Sequence, residues 1–346
     1  MKNILIVSPS LKNNGGITTV VKNYLNSKIN YNFYNLETQI DGKAIKKIVY
    51  FVKAFFNIKK IIKKNKIDIV YFHISEGASI KRTELLLKKI KKLNVKTILH
   101  HHGANFLTWY ESLNNTKKNK VTTMLSSVDT NIVLSEKLKK EYLKIVKINN
   151  IEFVYNGVNV TNENKYLLNF NDRKYILFLG RLGERKGIYD LIEALREANI
   201  PSMYKLVICG DGEIEKVQSL VNMYHLSEKV IVKGWIDGNQ KEEILNNTII
   251  NILPSYNEGL PMSILETMSL GIPNISTNIA SIPEVIKNNE TGILISPGDV
   301  NALKKALEIL NDVGLLKKIS VNSFNIIKSD FSLEKQIKST IKIFEK

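Results

Sequence analysis

At 346 residues, 44% of them apolar and only 7 of them Pro, the chain suits two globular domains of ordinary size and excludes wholesale disorder. A single cysteine, Cys209, excludes an intramolecular disulfide framework and fits a reducing, cytoplasmic setting. The formal net charge of +17 lies in one half: residues 1–160 hold 28 Lys+Arg against 10 Asp+Glu, and residues 161–346 hold 22 against 23.

From the N-terminus, "MKNILIVSPSLKNNGG" reads as a strand running into a Gly turn, not as a signal peptide, because its apolar run is short. Short apolar runs then alternate with helical patterns, as in parallel sheets with crossover helices. The first series of strands is expected at 3–8, 31–36, 68–73, 96–101, 130–135 and 151–156, with helices at 15–27, 43–65, 81–93 and 135–147. The Asn-rich stretch "TNENKYLLNFNDRK" (161–174) reads as a linker. The alternation restarts with strands at 175–180, 204–210, 230–234, 249–255, 273–277 and 292–296. The fold class is therefore α/β, with two Rossmann-like, doubly wound domains at 1–160 and 175–328 facing a central cleft. The final segment, 329–346, has apolar residues at helical spacing and is expected to pack as a helix back on the N-terminal domain. No stretch reaches the ~18 uncharged apolar residues of a transmembrane helix, so none is expected.

Gly15 and Gly16 follow the first strand and open a helix, so bare N–H groups there can approach a phosphate; a Gly-Gly turn without a ligand fits equally. The segment 43–66 carries nine lysines, no acidic residue and apolar positions at helical spacing. It reads as a basic amphipathic helix for an anionic membrane surface, or as a sheet-covering helix with a lysine-rich outer face. Its lysines match no nucleic-acid-binding motif, so nucleic acid is not an expected partner. His73 ends the third strand, where it either lines an acceptor site or is structural. Of the consecutive His100, His101 and His102, strand alternation points the outer two one way and His101 the other. Neighbours on one strand do not supply three tetrahedral ligands, and no carboxylate or cysteine lies near them in sequence. No metal is expected.

In the second half, "GRLGERKG" places Arg181 directly after a strand, with Lys186 and Gly187 opening the next helix. A forked guanidinium and a point-charge ammonium at the carboxyl end of a parallel strand suit a diphosphate. Cys209, in "KLVICGDG", reads as a buried strand end, and His225 as surface. In "SYNEGLPMSILETMSLGIP" (255–273), Pro261 fits the first turn of a helix reaching Leu270 and stopped by Gly271 and Pro273. Glu258 precedes that helix and Glu266 lies about two turns along it. A carboxylate accepts two hydrogen bonds side by side, which suits a ribose diol. One carboxylate would then hold a sugar and the other a nucleoside, with the diphosphate between.

The Gly15-Gly16 turn, "HHHG" (100–103), "VYNGVN" (154–159), "GRLGERKG" (180–187), "GDGE" (210–213), "EGLPMSILETMSLGIP" (258–273) and "IPEVI" (282–286) stand in an order that resembles the retaining glycosyltransferases of family 4, with the GT-B fold. The resemblance spans nearly the whole chain. It implies transfer from a nucleotide diphosphate sugar, most often of uridine, to a hydroxyl of a glycan or lipid-linked acceptor in cell-surface polysaccharide synthesis, with no metal cofactor. It further implies that Arg181 and Lys186 bind the donor diphosphate with the Gly16 backbone, that Glu266 binds the ribose, and that Ile236 lies against the base. Glu258, with backbone N–H groups around Gly259 and Met262, would contact the donor sugar, and His102 would face the reacting centre. The chain departs from the family's pattern at Thr267, Met268 and Ser269, where small residues are usual, and at Ala280 and Ser281, where a Gly pair is common. A nucleotide-sugar epimerase of similar fold, or a non-catalytic nucleotide-sugar-binding protein, fits the same residues.

Overall fold

The computed structural model describes residues 1–27 and 29–346, and the chain divides into two compact units. One comprises Met1–Asn156 and Gln336–Lys346; the other is Gly157–Lys335.

In the first unit six parallel strands, β1 (Lys2–Pro9), β2 (Tyr31–Gln39), β3 (Ile69–Ile74), β4 (Lys96–His101), β5 (Thr130–Val133) and β6 (Ile151–Phe153), lie in the order β2-β1-β3-β4-β5-β6. Every residue of β3 is buried, as a parallel strand covered on both faces requires. The order reverses between β1 and β3, so their carboxyl ends flank the crevice where open α/β sheets take ligands. Helices α1 (Gly16–Leu25), α2 (Ala44–Lys64) and α3 (Ala78–Ile90) follow β1, β2 and β3 in turn. Two further helices, α4 (Phe106–Glu111) and α5 (Asn115–Ser126), fall where no helix is expected from sequence; α6 (Glu136–Ile145) starts where Ser135 caps the Leu138 N–H.

Helix α2 carries two apolar stripes rather than one. Ala54, Ile58 and Ile62 are buried, with Phe51 and Phe55 packed against the same core. Ile45, Ile48, Val49, Val52 and Phe56 are exposed, Ile45 to 77%. At ~100° per residue these five fall within roughly 100° of arc, centred about 120° round from the buried set, with Ile48 next to the Phe55 edge of it.

The second unit has six parallel strands, β7 (Tyr175–Leu179), β8 (Lys205–Cys209), β9 (Val230–Gly234), β10 (Thr248–Leu253), β11 (Asn274–Thr277) and β12 (Ile293–Ile295), in the order β12-β11-β10-β7-β8-β9. Its switch point lies between β7 and β10. The stretch 161–174, expected as a linker, differs from that expectation. It contains the short helix α7 (Lys165–Leu168), and it buries Tyr166 and Arg173 completely. The Arg173 guanidinium donates to the carbonyls of Tyr166, Leu245, Thr248 and Lys165 and to Asn169 Oδ1. Asn164 caps the helix by accepting from the Tyr166 N–H. Asn-rich polarity here satisfies buried backbone groups instead of solvating a tether.

The remaining helices of this unit are α8 (Ile188–Glu197), α9 (Ile214–Met223), α10 (Gly238–Asn246), α11 (Met262–Met268), α12 (Ile282–Val285), α13 (Val300–Leu307) and α14 (Val313–Asp330). The last helix, α15 (Leu333–Glu345), passes from the second unit into the first within its opening turn. There the Tyr24 and Thr340 hydroxyls lie 2.7 Å apart, and Lys2 Nζ donates to the Phe344 carbonyl at 3.0 Å.

Candidate functional site

In the second unit the polar side chains gather at the carboxyl ends of β7 and β10, on both sides of the switch point. After β7 comes a one-turn 3-10 helix, Glu184–Lys186, closed by Gly187 at φ +69°. A Cβ on Gly187 would meet the Pro254 carbonyl oxygen at 2.1 Å, so only glycine lets this turn sit against the end of β10. That approach brings Lys186 onto Glu258, 72 residues away, as a buried ion pair. Glu258 is 6% exposed and also accepts from Ser255 Oγ at 2.7 Å. Arg181 is more open, with Asp211 as its nearest carboxylate at 3.7 Å. Arg185, the other cation of the turn, donates to the Asn257 carbonyl at 2.8 Å.

Helix α11 begins one residue later than expected, with Pro261 as its cap at an extended ψ of 125°. It ends at Met268, and Leu270 and Gly271 lie in the turn beyond. Glu266 on this helix accepts from Lys241 of α10 at 2.7 Å, and both side chains are partly exposed. Met262 is buried and Gly259 accepts at its carbonyl from the Ser281 N–H. Ile236 is buried, while its neighbour Trp235 is exposed. Sequence reasoning missed Lys241 and Ser255: a lysine on a polar helix face and a serine in a turn carry no signal until their carboxylates are in place. Cys209 is fully buried at the end of β8, and burial pushes its thiol up to about 12.

In the first unit the strand ends carry histidines. Gly15 has φ +138° with open space where a side chain would stand, and Gly16 begins α1. His73 on β3 pairs in register with His100 on β4, and His102 follows two residues on. His73 Nδ1 and His102 Nε2 share a hydrogen bond at 2.9 Å. His101 points to the other face, where it donates from Nε2 to Asn131 Oδ1 at 3.0 Å and accepts at Nδ1 from the Tyr142 hydroxyl at 3.2 Å. Both its nitrogens are used, which makes it a core residue, and burial pushes it down to about 4. Desolvation pushes His102 down to about 3 and holds His73 and His100 well below the usual imidazole range. Beside them, Gly103 leaves room for Glu76, whose Oε2 would lie 1.9 Å from a Cβ there. His225 is exposed in the second unit.

Two parallel sheets, each with its polar residues at a switch point, define a two-domain α/β protein of the GT-B fold. Anabaena HepE in complex with UDP-glucose shares this fold at a TM-score of 0.78 over the whole of both chains, with 14% identity. Residues 159–323 match the family described as glycosyl transferases group 1, and residues 37–162 match glycosyltransferase family 4. The chain belongs to these group 1/family 4 glycosyltransferases. It is 29% identical to an Escherichia coli UDP-Gal:alpha-D-GlcNAc-diphosphoundecaprenol alpha-1,3-galactosyltransferase, covering 83% of this chain and 77% of the relative. It is 25% identical to an uncharacterized 41.2 kDa protein in the cps region of Klebsiella pneumoniae, over 89% of each.

Proposed function

We propose that the protein is a retaining hexosyltransferase that moves a sugar from a UDP-sugar to a hydroxyl of a lipid-linked glycan during synthesis of a bacterial cell-surface polysaccharide such as capsule. The observation that carries this reading is the Lys186–Glu258 pair at the switch point of the second sheet, with Arg181 at the end of the same strand β7 and Glu266 further along the loop and helix after Glu258. Breaking the anomeric bond moves negative charge onto the leaving diphosphate. Arg181 and Lys186 neutralise that growing charge, which makes a metal unnecessary for the step. Glu258 contacts the donor sugar with the backbone N–H groups around Gly259 and Met262. Glu266 holds the ribose, and Ile236 lies by the base. From the first unit, Gly16 contributes a backbone contact to the diphosphate and His102 faces the donor sugar. The named donor and acceptor of the galactosyltransferase relative, and the UDP-glucose in HepE, support the uridine donor and a lipid-linked acceptor.

We assign the exposed stripe of α2 to the inner leaflet of the cell membrane, approached from the cytoplasm. Ile48, Val49, Val52 and Phe56 enter the interface while the surrounding lysines meet anionic headgroups, each contributing about 1 kcal/mol near such a surface. Among the described residues no helix is long and apolar enough to cross a membrane.

The test is a panel of nucleotide sugars, read by thermal stabilisation and by slow hydrolysis. A cognate donor at a hundred times its Kd adds about 2.7 kcal/mol of stability. Arg181→Ala or Lys186→Ala is expected to lower turnover about 100–1000-fold. Unchanged turnover in the double variant, or product formed as an altered free nucleotide sugar without acceptor, rejects the reading.

A further inference from the structure

We infer that His73, His100 and His102 form a binding site for one divalent transition ion of the zinc class. Sequence spacing argues against a metal at "HHHG", since three neighbours on a strand do not converge. The structure replaces the middle histidine. Register between β3 and β4 sets His73 directly opposite His100, and His102 returns to the same face two residues on. The three rings stand 4.3–5.4 Å apart between centroids, and one nitrogen from each lies within 4.8 Å of the other two.

The hydrogen bonds around His100 occupy one ring nitrogen and leave the other without a partner. The Tyr71 hydroxyl and His100 Nδ1 share a hydrogen bond at 2.5 Å. With Nδ1 engaged by Tyr71, Nε2 is the His100 nitrogen left to take an ion. That atom is buried without a partner, as is His73 Nε2. A buried imidazole nitrogen with no hydrogen-bond partner is unusual in a core.

An acceptor nitrogen held by a hydrogen bond at the opposite ring position is the form in which histidine ligates metals. Zinc at about 2 Å from each nitrogen puts ligand nitrogens roughly 3.3 Å apart. The 2.9 Å His73–His102 contact would open slightly, its shared proton passing to the other nitrogen of the ring that held it, and wider separations would close by up to about 1.5 Å. His102, partly exposed at the strand exit, provides the way in and leaves a fourth position for water. An all-imidazole set favours zinc, copper, nickel or cobalt over magnesium or calcium.

On the glycosyltransferase reading above, the ion engages the ring assigned to the donor sugar, so zinc is an inhibitor here and not a cofactor. Binding itself is tested without any sugar. Metal-free protein is titrated with Co²⁺ and read by the visible band of tetrahedral cobalt and by equilibrium dialysis. One Co²⁺ per chain is expected, displaced by one equivalent of Zn²⁺. His73→Asn and His100→Asn, checked for folding by circular dichroism, are expected to abolish the band, and His225→Gln to keep it. Tyr71→Phe retains all three ligands but removes the hydrogen bond that orients the His100 ring, and is expected to weaken cobalt binding about 10–100-fold. No stoichiometric binding by the folded parent, or binding that survives both asparagine variants, overturns the site. Cobalt bound at full stoichiometry with no loss of donor hydrolysis overturns the inhibition. A failed sugar assay leaves the cobalt result readable.

Discussion

The Lys186–Glu258 pair permits a quantitative test of how the second unit holds its charges. Lys186→Met keeps the aliphatic stem and deletes the ammonium. What remains is a carboxylate 6% exposed, with Ser255 as its one side-chain donor among the hydrogen bonds seen here. Removing one partner of a buried pair costs about 3–5 kcal/mol. The lysine side chain is 14% exposed, which lets some water reach the vacated position and sets the expectation at the lower end, about 3 kcal/mol. Glu258→Gln keeps the shape and the Ser255 contact and strands an ammonium with better access to water, at about 1–3 kcal/mol. The double variant contains no unpaired charge, so its cost is expected to fall about 2 kcal/mol short of the sum. Trp109 and Trp235 lie one in each unit, so a Trp109→Phe background leaves Trp235 as the sole indole reporting on the second. Urea denaturation followed by that fluorescence gives the four free energies. Strict additivity, or a Lys186→Met change below about 0.5 kcal/mol, refutes the buried-pair account.

Further expectations follow from other sites. Gly187→Ala places a methyl against the Pro254 carbonyl at a left-handed φ, and is expected to cost about 1–3 kcal/mol and to reduce donor binding by displacing Lys186; unchanged stability and nucleotide affinity would contradict it. With its thiol pushed up to about 12, Cys209 is about 1 in 10,000 thiolate at pH 8, so iodoacetamide is expected to label it only after denaturation. Rapid labelling of the native protein would show that β8 does not end in the core. Vesicle flotation tests α2: binding to vesicles containing anionic lipid is expected to fall in Val52→Ser/Phe56→Ser and in high salt. Equal binding to neutral vesicles would reject the electrostatic part.

The strands were legible because a strand buried on both faces writes its burial locally, as a short apolar run; β4 and β9 fall at the expected residues 96–101 and 230–234. The same holds for Cys209 and for the opposed directions of His100 and His101, which strand alternation alone dictates. Helices α4 and α5 were not legible: "NFLTWYESLNNTKKNK" has no clean period, and their formation depends on where Phe106, Tyr110, Val121 and Met124 find the core. Nor did the Asn-rich stretch 161–174 reveal that it would bury Arg173, since its five acceptors are supplied partly from residues 245 and 248. Glu258 and Glu266 could be picked out as carboxylates, but Lys186 and Lys241 became their partners only when strand order set β7 beside β10 and packing set α10 beside α11. The histidine cluster is the same case, because His73 lies 27 residues before His100 and meets it through a parallel register. Periodicity records what each segment buries; which polar groups face one another is decided by strand order and register, and those come from the packing of a whole unit.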